Sequence, residues 1–214
     1  MEDKLLTYQK VKKNYLKFLN LQEVTSEPFR DKIGQLNKFY LPIGKMIKDE
    51  YTKRKKTRLI GLTGGQGTGK STISNILKIV LNDVYNLKTL IFSIDDFYKT
   101  FQERKKMSKK ISNLFLTRGV PGTHDTKMLL QCIKNLKNND FKKTIIPKFD
   151  KSTDDRCAKN KWSKVKKKPN IIIFEGWCVG ATAQKNKDLN IPVNKLEKQK
   201  DNKRIWRQKV NSEL

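Results

Sequence analysis

The segment Gly64-Gly65-Gln66-Gly67-Thr68-Gly69-Lys70-Ser71 has the residue types and spacing of a loop that holds a chain of phosphates. Its glycines free the backbone to aim several N–H groups inward at phosphate oxygens. The helix expected to follow adds its positive N-terminal end. A lysine at the position of Lys70 reaches the β- and γ-phosphates, and the Ser71 hydroxyl next to it can ligate Mg2+. The chemistry to expect from this segment is binding of a nucleoside triphosphate with Mg2+.

Three further groups of residues could act beside such a loop. Asp95 and Asp96 close the apolar run Leu90–Ile94. A carboxylate at a strand end facing the γ-phosphate can accept the proton of an attacking hydroxyl or position the metal; an isolated Asp pair is equally at home as a solvated loop or helix cap. Glu175 closes the most apolar run, Ile171–Phe174, where a charge is costly unless it meets a cation. That makes Glu175 a candidate metal ligand beside Ser71, the alternative being a glycine-flanked turn residue. Arg118, His124 and Asp125 form a loop constellation. Arg118 can grip a carboxylate or phosphate with two parallel bonds, a single histidine is more often structural, and Asp125 could as easily cap a helix. Lys148, Asp150, Lys151 and Arg156 read, from their types alone, as a solvated basic loop.

The elements that must position these groups follow from the apolar pattern. Arg58–Thr63 reads as a strand, Gly64–Ser71 as the loop, and Ile73, Ile76, Leu77 and Val80 as the apolar face of the helix after it, the order that a phosphate-binding loop requires. Leu90–Ile94 and Asn170–Gly176 are two further buried strands. Met128, Leu129, Cys132, Ile133 and Leu136 mark another helix. Ile145–Asp150 reads as one short edge strand, since Pro147 cannot donate to a ladder. Lys99–Ser112 reads as a lysine-rich polar segment and Lys151–Pro169 as a polar, basic loop. From about Leu5 to Tyr51 the pattern is helical, and it becomes helical again near Ile205-Trp206. Strands alternating with helices predict an α/β fold of the P-loop NTPase type, three layers α/β/α with a mainly parallel sheet. Ligands of such sheets bind beyond the carboxyl ends of the strands. The phosphate loop, Asp95-Asp96 and Glu175 each follow a strand directly, and the pattern predicts them on one rim. The expected division is a helical extension over residues 1–56 and a P-loop domain over 57–214.

Composition sets the outer limits. The chain has 214 residues, enough for one globular domain with a core. No apolar stretch approaches the roughly 20 residues of a membrane helix, and the N-terminus lacks a signal-peptide core; the expectation is a soluble cytoplasmic protein with no membrane partner. Cys132, Cys157 and Cys178 are too scattered for a disulfide framework or a CxxC metal site. The formal net charge of +27 would suit a nucleic-acid partner. The lysines are spread along the chain, however, and there is no aromatic-interleaved RNA motif. A nucleic-acid partner is therefore not expected, nor is a membrane.

Taken together the motifs resemble one family. Gly61 to Thr72, Ser93-Ile94-Asp95-Asp96-Phe97-Tyr98, Arg118 to Asp125, Pro147-Lys148-Phe149-Asp150-Lys151-Ser152 and Phe174-Glu175-Gly176-Trp177 look like the D-glycerate 3-kinase family. More broadly they are similar to uridine kinase, phosphoribulokinase and the bacterial type of pantothenate kinase. The resemblance covers about Tyr40 to Trp177 and is weaker near Val193–Leu196 and Ile205–Arg207. It implies transfer of the ATP γ-phosphate to a hydroxyl of a small acid such as D-glycerate. It also implies that Gly64–Thr72 hold the nucleotide, that Lys70 and Asp95 are catalytic, and that Asp96, Arg118, His124, Asp125, Lys148 and Asp150 line the acceptor site. Family members continue past the equivalent of Leu214 with further strands and an arginine-rich lid, so the resemblance implies a C-terminally truncated chain. A nucleic-acid-associated NTPase and an inactive nucleotide-binding fragment are the alternatives.

Overall fold

The computed structural model describes residues 2–26 and 28–214; Met1 and Glu27 lie outside the described residues. In chain order the helices and strands are α1 (Glu2–Gln22), α2 (Lys32–Gln35), α3 (Leu41–Arg54), β1 (Arg58–Thr63), α4 (Lys70–Tyr85), β2 (Thr89–Ser93), α5 (Phe101–Lys110), α6 (Thr126–Lys137), β3 (Ile145–Ile146), β4 (Phe149–Asp150), β5 (Asp155–Arg156), β6 (Ser163–Lys164), β7 (Ile171–Gly176), α7 (Lys195–Lys200) and α8 (Ile205–Ser212). No helix among the described residues is long and apolar enough to cross a membrane. The contacts divide the chain into two compact units interleaved in sequence. The first comprises the residues up to Phe92, Leu136–Lys142 and Lys166–Trp177; the second comprises Ser93–Asn135, Lys143–Val165 and Cys178–Leu214.

The first unit is built on a sheet of order β1-β7-β2. β1 and β7 run parallel in a register from Arg58↔Ile171 to Thr63↔Gly176. Every residue of β7 is buried, as expected of a central strand covered on both faces. β1 is an edge strand in this order, and its burial alternates so that Leu59 is partly exposed. On one face Ile171 and Ile173 pack with Ile47 of α3 and Leu77 and Leu81 of α4. Alternation sends Phe174 to the other face, where its ring lies 5.3 Å from that of Phe92. A further layer forms where Val11, Tyr15 and Leu19, at helical spacing on α1, meet Ile76 and Val80 of α4. The fold is thus a mostly parallel sheet with flanking helices. Helical structure over 5–51 is interrupted between Gln22 and Lys32, where Asp31 takes a left-handed conformation and its carboxylate accepts Gly34 N–H.

In the second unit the lysine-rich polar segment Lys99–Ser112 contains a helix. α5 opens on a capping box: the Thr100 hydroxyl accepts Glu103 N–H, and the Glu103 carboxylate accepts Thr100 N–H. Ile145–Asp150 is not a single edge strand. Pro147-Lys148 breaks it into β3, paired antiparallel with β6, and β4, paired antiparallel with β5. The segment 151–169 correspondingly carries β5 and β6. Beyond Gly176 the regular elements among the described residues are helical. There Asp201 caps α8 by accepting the N–H groups of Trp206 and Arg207.

Candidate functional site

The phosphate loop lies between β1 and α4 in the first unit. Gly67 and Gly69 stand at φ 77° and 78°, a left-handed region that side chains resist. At Gly64 a Cβ would meet the Thr68 hydroxyl at 2.8 Å. The loop therefore requires glycine where the sequence supplies it. Thr68 Oγ1 donates to the Gly65 carbonyl at 2.9 Å, and Lys70 Nζ donates to the same carbonyl at 2.6 Å. Lys70 thus folds back over the loop that it is expected to serve. α4, sixteen residues long, points its N-terminus at the loop. Ser71 Oγ donates to Glu175 Oε1 at 3.3 Å, and Thr63 Oγ1 donates to the Trp177 carbonyl at 3.1 Å. The β1/β7 register accounts for both contacts, since it sets Leu62 beside Glu175 and Thr63 beside Gly176.

This end of the first unit fits the group that its residues predict. The glycine cradle suits phosphate oxygens, and a hydroxyl paired with a carboxylate suits Mg2+, which takes few protein ligands and completes its shell with phosphates and water. No group of three or more His, Cys, Asp or Glu disposed to hold a metal occurs among the described residues, so the donor set does not suit a metal caged by protein alone.

The second unit gathers the other candidates around the tight turn after β2. Asp95 and Asp96 have different roles there. Asp96 turns back to accept Ser93 N–H, closing a capping box. The Asp95 carboxylate instead meets Lys151 Nζ at 2.7 Å. Burial, followed by the Asp95 charge, pushes the Tyr98 hydroxyl well above its ordinary pKa. The Tyr98 ring stacks on His124 at 4.4 Å. His124 is 1% exposed, its Nε2 has no hydrogen-bond partner, and burial lowers its pKa to about 4. Its carbonyl and that of Gly122 accept Lys99 Nζ, at 2.6 and 2.8 Å.

Asp125 makes the capping contact that its sequence position allows, accepting Met128 N–H at 3.0 Å, and its other oxygen lies 3.7 Å from Arg156. Arg118 pairs with the carboxylate of Asp154 and lies over the Phe149 ring. Asp150 accepts the N–H and hydroxyl of Ser152, which hold its pKa below the ordinary carboxylate value. Lys148 is exposed, and its carbonyl accepts Cys157 N–H. Asp95, His124 and Asp125 therefore share the surroundings of one turn, and Asp96, Asp125 and Asp150 each spend a carboxylate oxygen on nearby backbone.

Two residues that organise this region escape the motif reading. Arg104 is fully buried and donates to the carbonyls of Lys99, Leu116 and Asp154. It also pairs with the Asp154 carboxylate at 2.9 Å. Burial works against the ionised Asp154, but hydrogen bonds from Arg104 and Arg118 outweigh it and keep its pKa low. A signal for Arg104 exists: it stands three residues before Met107 and seven before Ile111, on the inward face of the helix that Thr100 and Glu103 cap. Asp154 has none, because its partners are far away in the chain.

Residues 59–211 match the family model described as phosphoribulokinase / uridine kinase family. The chain is similar to a Schizosaccharomyces pombe protein named "Uncharacterized kinase mug58", 36% identical over 129 residues, which are 57% of this chain and 46% of that protein. It is also similar to the chloroplastic D-glycerate 3-kinase of Arabidopsis thaliana, 30% identical over 130 residues, 57% of this chain and 28% of that one. The solved structure of D-glycerate 3-kinase from Cryptococcus neoformans superposes with a TM-score of 0.61 at 26% identity, over 69% of this chain and 55% of that one. The chain spans less than half the length of these two curated relatives.

Proposed function

We propose, from the premise that this chain belongs to the phosphoribulokinase and uridine kinase family, that it serves an ATP-dependent kinase reaction whose acceptor is a hydroxyl of a small organic acid, D-glycerate first. The observation that carries the kinase reading is the Ser71–Glu175 hydrogen bond at the mouth of a glycine cradle. The likeness to two D-glycerate 3-kinases supports the choice of acceptor.

In this reading Gly64–Thr72 hold the triphosphate, and Lys70 leaves the Gly65 carbonyl to meet the β- and γ-phosphates. Ser71 and Glu175 would hold Mg2+, which supplies positive charge against that developing on the phosphates. Asp95 takes the proton of the acceptor hydroxyl as that oxygen bonds to the γ-phosphorus. The bond from the γ-phosphorus to the bridging oxygen breaks, and ADP leaves with the electron pair. Arg118 suits the acid's carboxylate because its planar fork makes two parallel bonds.

A coupled assay of ADP release over D-glycerate, pantothenate, uridine and ribulose 5-phosphate tests the proposal. Turnover that depends on D-glycerate, and that is lost in Lys70→Ala and Asp95→Ala, is expected. Equal, acceptor-independent turnover would count against it. The net charge of +27 favours a second reading, an NTPase stimulated by nucleic acid; a steep salt dependence of RNA or DNA binding would support that reading instead.

A further inference from the structure

The kinase reading uses Asp95 as the base but leaves unexplained what aims its carboxylate. The last torsion of an aspartate is broad and roughly two-fold, so an unheld carboxylate samples many orientations. A cation holds this one: Lys151 Nζ, from the hairpin formed by β4 and β5, lies 2.7 Å from Asp95 Oδ2. We infer that Lys151 is a positioning residue for the base of the phosphoryl-transfer reaction, its ammonium fixing the Asp95 carboxylate toward the acceptor hydroxyl. This inference rests on the kinase reading given above.

The hairpin is anchored to the Asp95 turn independently of the lysine. Arg156 donates to the Tyr98 carbonyl through Nη2 at 2.7 Å and Nε at 3.2 Å. Phe101 N–H donates to Asp155 at 3.0 Å. The Tyr98 and Phe149 rings meet edge to face at 5.2 Å. At the turn itself Asp150 receives Ser152, and the left-handed Asp154 is gripped by Arg104 and Arg118. Lys151 therefore projects from a backbone fixed before and after it.

Energetics separates this role from a structural one. The Lys151 side chain is 63% exposed and that of Asp95 27%. An ion pair that open contributes little to stability, and its loss leaves the anchors above untouched. What the pair does fix is direction, and misplacement of a reacting group by about 1 Å can cost on the order of 10²-fold in rate. Lys148 and Asp150 share the motif with Lys151, but the structure places neither on Asp95: Lys148 is exposed and Asp150 is engaged by Ser152.

The test compares the wild-type chain with Lys151→Ala and Lys151→Arg. In Lys151→Ala, kcat is expected to fall about 10²-fold, with the acceptor KM and the melting temperature near those of the wild type. Lys151→Arg should recover most of the rate, and added ethylammonium should restore part of it to Lys151→Ala. Wild-type kcat in Lys151→Ala, or a loss matched by a lowered melting temperature and not recovered by arginine, overturns the inference. A wild-type chain that turns over no acceptor would instead sink the kinase reading. The pairing is then read directly from the 13Cγ resonance of Asp95, assigned with Asp95→Asn. That resonance is expected to move in Lys151→Ala and to stay near its wild-type position in Lys151→Arg; an unmoved resonance in Lys151→Ala overturns the inference.

Discussion

Ser71 Oγ lies 3.3 Å from Glu175 Oε1, so that the first turn of α4 and the end of β7 share one hydrogen bond. The bond joins two hard oxygen donors beside a phosphate cradle. Glu175→Ala is expected to weaken ATP binding about 10–100-fold in the presence of Mg2+, the range seen when groups that support a metal are removed. In EDTA the same variant should bind ATP no worse than wild type, because a negative charge beside the phosphates has gone. Calorimetric titration with and without Mg2+ reads both arms. Equal weakening in the two would contradict the assignment.

Gly44 of α3 lies against Val80 of α4, where an added Cβ would come within 2.5 Å of Val80 Cγ1. Alanine there would gain about 1 kcal/mol of helix propensity, but Val80 is fully buried and overpacking costs about 1–3 kcal/mol. Gly44→Ala is expected to lower the urea midpoint. Gly44→Ala combined with Val80→Ala should destabilise by less than the sum of the two single changes, because the pair is in contact.

Arg104 holds three backbone carbonyls and one carboxylate without contact with water. Arg104→Met keeps most of the bulk but strands those acceptors and leaves Asp154 with one fewer cation. The expected loss is about 1–3 kcal/mol, the cost of stranded acceptors, since Asp154 is partly exposed and keeps Arg118. Denaturant unfolding checks the size, and limited proteolysis should find the turn at 151–154 newly cleavable.

His124 sets a pH window. Burial, assisted by Lys99 and opposed by Asp95, lowers its pKa from 6.5 to about 4. Between those values the unfolded chain binds the proton more readily than the folded one, so stability falls as the pH drops through the window, by up to about 3 kcal/mol. The carboxylates with lowered values, Asp154 and Asp150 among them, lose their contribution at lower pH, below the ordinary 3.8. Melting temperatures from pH 7 to pH 4 should therefore decline in the wild type, and decline less in His124→Asn.

The phosphate loop was legible because its chemistry is local: glycines at two left-handed positions and a lysine and serine that follow directly. β7 was legible because a run of isoleucines bounded by polar residues suits a strand buried on both faces. α5 was hidden because exposed lysines mask its one inward anchor, which is itself charged. Pro147 suggested an edge strand where it in fact breaks the run in two, because the pairing partners of two-residue strands lie outside any local pattern. Asp154 was invisible since Arg104 and Arg118 reach it from 50 and 36 residues away. At Asp96 and Asp125 the sequence allowed both a cap and a ligand, and the structure shows the capping bonds.

The parallel pairing of β1 with β7 also has a consequence in time. Arg58 finds its neighbour Ile171 more than a hundred residues later. During synthesis, at about 5–20 residues per second, β1 and the phosphate loop must wait several seconds before the strand that flanks them leaves the ribosome. Through that interval the apolar β1 is a nascent strand without its partner, the kind of segment that chaperones hold and that aggregates when they do not. Non-local pairing of this kind also makes refolding slow compared with closure of the helical layer of α1 and α4.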